Sequence, residues 1–76
     1  MTLAEVFAEV FEEPVDSFTD QSDQQSVLNW TSMRHVALLV RIEKAFSTRF
    51  TNAEMATMRS MGDIRDTLSR KGVEAA

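Results

Sequence analysis

From Met33 to Phe46 apolar side chains fall at Met33, Val36, Leu38, Leu39, Val40, Ile42 and Phe46, spacings that only an α-helix gathers onto faces. No other run constrains the chain as much. It is apolar over an arc too broad for a simple surface helix, so it predicts the central element of a helical bundle. The polar pair Thr31-Ser32 is suited to cap its start. Arg34, Arg41 and Lys44 fall on one narrow stripe of the same helix, which is expected to face water.

The neighbouring segments repeat the helical period. Leu3, Val6, Phe7, Val10 and Phe11 form one apolar stripe with Glu5, Glu9, Glu12 and Glu13 opposite, predicting a helix over 3–12. Thr2 and Glu5 have capping-box spacing, and Pro14 disfavours helical geometry in the residue before it. Residues 14–31 are rich in Asp, Ser, Thr and Gln and read as a long loop pinned by Val15, Phe18, Val27, Leu28 and Trp30. Thr51-Asn52-Ala53-Glu54 opens a short helix with Met55 and Met58 inward. Ser60-Met61-Gly62-Asp63 reads as a second capping box, opening a helix that turns Met61, Ile64 and Leu68 inward and stops at Gly72. Glu74 to Ala76 are expected to fray. With no alternating apolar pattern, residues 1–76 read as one all-α domain, a four-helix bundle of three longer helices and one short one.

Composition narrows function by exclusion. No cysteine is present, so a thiolate metal site, a disulfide and a cysteine nucleophile are all excluded, and a thiol has to come from a cofactor. No apolar run approaches the roughly 18 residues of a membrane span, and the basic-then-apolar pattern of a signal peptide is missing. The chain is therefore expected to be cytoplasmic and without a membrane. Residues 1–30 hold seven acids and no Lys or Arg, and the remainder carries eight bases against five acids. A net charge of -4 argues against nucleic acid as a partner. The chain is read as a monomer and not an enzyme. A nucleophilic Ser32 needs a base and an oxyanion hole, and His35, three residues along the same helix, is poorly placed to be that base. A lone histidine has no partner for a metal site.

Ser32 stands where a polar connection becomes an apolar helix, beside orphan N–H groups and the positive end of the helix dipole, which suits a phosphate ester. A serine followed by apolar residues at Met33, Val36, Leu38, Leu39, Val40, Ile42 and Phe46 resembles the second helix of an acyl carrier protein. The likeness covers roughly residues 3–71, taking in the first helix, the long pinned loop, Trp-x-Ser-Met, and the short third and final helices. It implies 4′-phosphopantetheine, from coenzyme A, esterified to Ser32. Its partners would be a phosphopantetheinyl transferase and the acyl-loading and acyl-transfer or synthase enzymes of fatty-acid, polyketide or related secondary-metabolite biosynthesis. Thr31 replaces the aspartate of the family's Asp-Ser-Leu signature, removing a negative charge beside the attachment point. The Gly-Gly-His-Ser signature of peptidyl carriers is absent, so stand-alone or polyketide-type carriers are nearer.

The resemblance also implies an acyl pocket between the second helix and its neighbours, here lined by Leu39, Ile42, Met55, Met58 and Ile64. Partners would meet Arg34, Arg41, Lys44 and Met33, a surface whose charge is the reverse of the acidic second helix usual in fatty-acid carriers. His35 reads as a half-buried edge residue, or as a group at the pocket mouth or on the arm's phosphate. Trp30 reads as a core anchor, and the methionines as adaptable core filler. The alternative is a small helical protein-interaction module without a prosthetic group.

Overall fold

The computed structural model describes residues 1–75, so a position for Ala76, expected to fray, lies outside the described residues. Four helices follow in order: α1 (Leu3–Phe11), α2 (Ser32–Ala45), α3 (Asn52–Ala56) and α4 (Met61–Arg70). Among the described residues there is no strand, only one isolated bridge between Asp23 and Ser60. No helix among them is long and apolar enough to cross a membrane.

Local chemistry explains where each helix begins. At α1 the Thr2 hydroxyl accepts from Glu5 N at 3.1 Å, and the Glu5 carboxylate accepts from Thr2 N at 2.6 Å. Thr51 and Glu54 repeat this reciprocal box at α3, at 3.1 and 2.8 Å. At α4 the box is only half formed. Ser60 Oγ accepts from Asp63 N at 3.1 Å, but the Asp63 carboxylate turns to Arg59 N, one residue upstream of the cap.

Left-handed residues set the ends of α1 and α4. Helix α1 stops at Phe11, one residue earlier than expected, because Glu12 turns left-handed (φ 55°) and donates its N–H to Ala8 O. Pro14 then caps a single 3-10 turn, Val15–Ser17, inside what reads from sequence as loop. Helix α4 ends where Gly72 (φ 77°) supplies the left-handed turn and Val73 N donates to Leu68 O at 2.9 Å.

One core joins the elements. Leu3, Val6, Phe7 and Phe11 of α1 meet Leu38, Leu39 and Ile42 of α2, with Met61, Ile64 and Leu68 of α4 closing the far side. The long loop enters this core through Phe18 and Trp30, whose rings lie 5.5 and 5.4 Å from Phe7. Leu28 does not pin it, being 94% exposed. The loop is also tied to the start of α4, where Met61 N and Gly62 N donate to Ser22 O and Asp20 O at 3.0 and 2.9 Å. A side chain at Gly62 would put its Cβ 2.9 Å from Asp20 O, so glycine permits this approach.

The C-terminal segment is held rather than frayed as far as Ala75. Ala75 is buried, and its carbonyl accepts from the Arg65 guanidinium at 2.8 Å, while Arg65 also pairs with Asp20 at 3.1 Å. One arginine thus joins loop, α4 and tail.

Candidate functional site

Ser32 is the first residue of α2 and is exposed. The residue that caps this helix is Thr31, whose hydroxyl accepts from Arg34 N at 3.2 Å. Because Thr31 does that work, the Ser32 hydroxyl makes no hydrogen bond among the described residues. The first backbone bond of the helix runs from His35 N to Thr31 O at 2.8 Å, which leaves Ser32 N and Met33 N ahead of the ladder. A hydroxyl, two unengaged N–H groups and the positive helix end therefore share one exposed turn. That combination fits a phosphate ester on Ser32.

The floor beneath this turn is Trp30, 2% exposed and packed on Phe7 and Phe11. Its indole N–H donates to His35 Nδ1 at 2.9 Å, and the two rings stack at 5.9 Å. His35 is half-buried, and loss of hydration holds its pKa below the usual 6.5. A neutral ring with its proton on Nε2 satisfies that bond.

The broad apolar arc of α2 divides into two faces. Leu38, Leu39 and Ile42 enter the core, whereas Met33, Val36 and Val40 form an exposed row at 85, 63 and 57% exposure. Met33 is thus not core filler, and α2 is covered on one side only. The row starts one residue beyond Ser32 and makes an exposed apolar strip along α2.

The three cations of α2 do not share a water-facing stripe. Arg41 pairs with Glu9 of α1 at 2.9 Å, which lowers the Glu9 pKa and raises that of Arg41. Arg34 donates to Val10 O at 2.7 Å and lies 3.9 Å from Glu12. Of the three, Lys44 alone is exposed, and Arg34 and Arg41 are half-buried. The reversed charge expected of this helix is therefore largely offset by the acidic first helix packed beside it.

Of the residues expected to line an acyl pocket, Leu39, Ile42, Met58 and Ile64 are buried in the common core and Met55 packs against it. The structure brings the five together as packed core. A hollow of about 570 Å³ lies elsewhere, between α1 and α2, lined by Glu9, Val10, Thr31, Met33, Arg34, Ala37 and Arg41. Sequence reasoning singled out neither Val10 nor Ala37 for a site, and only their helical periods, read together with the packing of α1 on α2, could have paired them. Compared with models of known protein families and with curated proteins, the chain matches none.

Proposed function

We propose that this protein is a non-catalytic acyl carrier whose Ser32 bears 4′-phosphopantetheine. The observation that carries the reading is the division of labour at the start of α2: Thr31 caps the helix, leaving the Ser32 hydroxyl exposed and unbonded at a helix end suited to phosphate. A transferase would form the Ser32 Oγ–P bond as the pyrophosphate linkage of coenzyme A breaks, with adenosine 3′,5′-bisphosphate leaving and the serine proton passing to a base of the transferase. The group supplies a terminal thiol that can hold an acyl unit as a thioester.

This chain's own residues would do the rest. Trp30 and the aromatic core hold the α2 start rigid, so the attachment point is fixed relative to the exposed row Met33, Val36 and Val40. That row gives partner enzymes an apolar docking strip beside the cargo, with Lys44 at its far end. Transferase, loading and acyl-transfer enzymes of fatty-acid, polyketide or related biosynthesis are the partners this implies.

The same exposed row favours one rival, an unmodified protein-interaction module that docks through α2 alone. Intact mass after incubation with coenzyme A and a broad-specificity transferase separates the two. A carrier gains one phosphopantetheine and its Ser32→Ala variant gains none; an interaction module gains nothing.

A further inference from the structure

Trp30 fixes more than the position of His35. An indole N–H can only donate, so His35 Nδ1 must accept, and the single ring proton of the neutral imidazole is placed on Nε2. That Nε2–H donates to no group among the described residues. None of their buried polar side-chain atoms lacks a partner, so the half-buried ring keeps Nε2 open to solvent. The start of α2 thus holds an oriented donor that nothing in the fold uses.

Its place on the helix is beside Ser32. Residues three apart stand about 60° apart round a helix and about 4.5 Å along it, neighbours whose Cβ atoms are about 5–6 Å apart. Helical side chains lean toward the N-terminus, over the turn that precedes them. The bond to Trp30, five residues back, shows that His35 does so, and this carries its ring onto the turn of Thr31 and Ser32. Arg34, about 160° round the helix from Ser32, is turned instead to Val10 O of α1.

No charge now acts on the ring, since burial alone lowers its pKa. On the elements around it, Glu12 at the end of α1 lies 3.9 Å from Arg34, Glu9 pairs with Arg41, and Asp20 pairs with Arg65. The Asp23 carboxylate accepts from Gln25 N and Ser26 N, and Glu13 lines a hollow of the loop that His35 does not reach. A phosphate on Ser32 would therefore be the first anion beside this donor, and it would fill the gap between the two side chains.

We propose that His35 is the positioning residue of the attachment site, donating from Nε2 to a phosphate oxygen carried by Ser32 while Trp30 holds Nδ1. This rests on the carrier reading of Ser32 and adds the side chain that orients the first group of the arm. The aromatic core reaches the phosphate through Trp30 and His35. On protonation His35 keeps the phosphate but gives up the Trp30 bond, so acid loosens the loop from α2 without freeing the arm.

The test reads His35 in the full chain by NMR, through long-range proton–nitrogen correlations of its imidazole. The phosphopantetheine form, and a second form carrying phosphoserine in place of Ser32 from translation, are each compared with the unmodified chain. At about pH 7.5 the unmodified ring is expected as the Nε2–H tautomer, that proton being lost to exchange with water. In both modified forms it should become visible, with the Trp30 indole proton unmoved. In the phosphopantetheine form, whose phosphodiester does not titrate near neutrality, the His35 pKa should rise by about one. Salt at about 0.5 M should leave most of that rise, because a partly buried contact is screened much less than exposed charges. Phosphoserine in place of Ser47, just beyond the far end of α2, should have none of these effects. An Nε2 proton that stays invisible, an unmoved pKa, a rise that salt removes, or the same response from Ser47 overturns the proposal. A chain that the transferase leaves unmodified overturns the carrier reading, and the phosphoserine form still reads His35 through its Nε2 proton.

Discussion

The indole N–H of Trp30 donates to Nδ1 of His35 across 2.9 Å, linking the last residue of the long loop's buried end to the first turn of α2. The bond requires His35 to be neutral at Nδ1, because an imidazolium offers only donors there. Protonation would set two N–H groups against each other directly beneath Ser32.

A pH dependence follows. Burial holds the folded His35 pKa below 6.5, so between that lower value and 6.5 the unfolded chain binds more protons than the folded one. This contribution is fully present above pH 6.5 and is lost as pH falls through the window below it. Thermal unfolding at pH 7.5 and 5.5 should show a lower Tm at the acid pH. In His35→Gln, which keeps an acceptor and does not titrate, the difference should shrink. Glu5, Glu9 and Glu54, with pKa values held below 4.5 by hydrogen bonds to Thr2, Arg41 and Thr51 respectively, add a separate loss below pH 4.5.

Adjacent residues at the α2 start should differ in their stability effects. Thr31→Ala removes the cap and should cost about 1 kcal/mol in urea unfolding. Ser32→Ala removes an exposed, unbonded hydroxyl and should stay within about 0.5 kcal/mol. Equal losses would mean that Ser32 shares the cap.

The loop's hold on α4 is testable at Gly62. Gly62→Ala places a methyl 2.9 Å from Asp20 O, and backbone cannot yield as a side-chain end can. A cost of about 1–3 kcal/mol is expected, by analogy with overpacking. Amide exchange should rise at residues 61 and 62, whose N–H groups are donated to Ser22 and Asp20. Unchanged exchange there would show that the loop can shift as a unit.

Much of the architecture was legible because its causes are local. Capping pairs three residues apart, Gly72 and the stripes of α1 and α4 all act within a few turns. The two faces of α2 were not. Periodicity tells which residues share a face but not which faces find a neighbour, so the broad apolar arc predicted a central helix although Met33, Val36 and Val40 stay exposed among the described residues. The fate of Arg34 and Arg41 was equally hidden, since their partners Val10 and Glu9 lie 24 and 32 residues away. At the site, the position of Ser32 was readable, but not that Thr31 rather than Ser32 completes the cap.

Partner docking should depend on the apolar row more than on the cations. Val36→Asp puts a charge in the middle of the strip at an exposed position, so the fold should survive while acyl transfer to a productive partner falls on the order of tenfold or more. Lys44→Glu should change the rate mainly at low salt. Arg41→Glu is the poorer probe, because it sets two carboxylates together at Glu9. A larger effect from Lys44→Glu than from Val36→Asp would return recognition to charge.

The central claim is most directly tested by locating the attached group. After incubation with coenzyme A and a broad-specificity transferase, trypsin releases residues 1–34 as one fragment, Arg34 being the first basic residue. One added phosphopantetheine is expected in that fragment, placed on Ser32 by fragmentation between Thr31 and Met33. No added mass, or a group on Ser17, Ser22, Ser26 or Thr31, would contradict it.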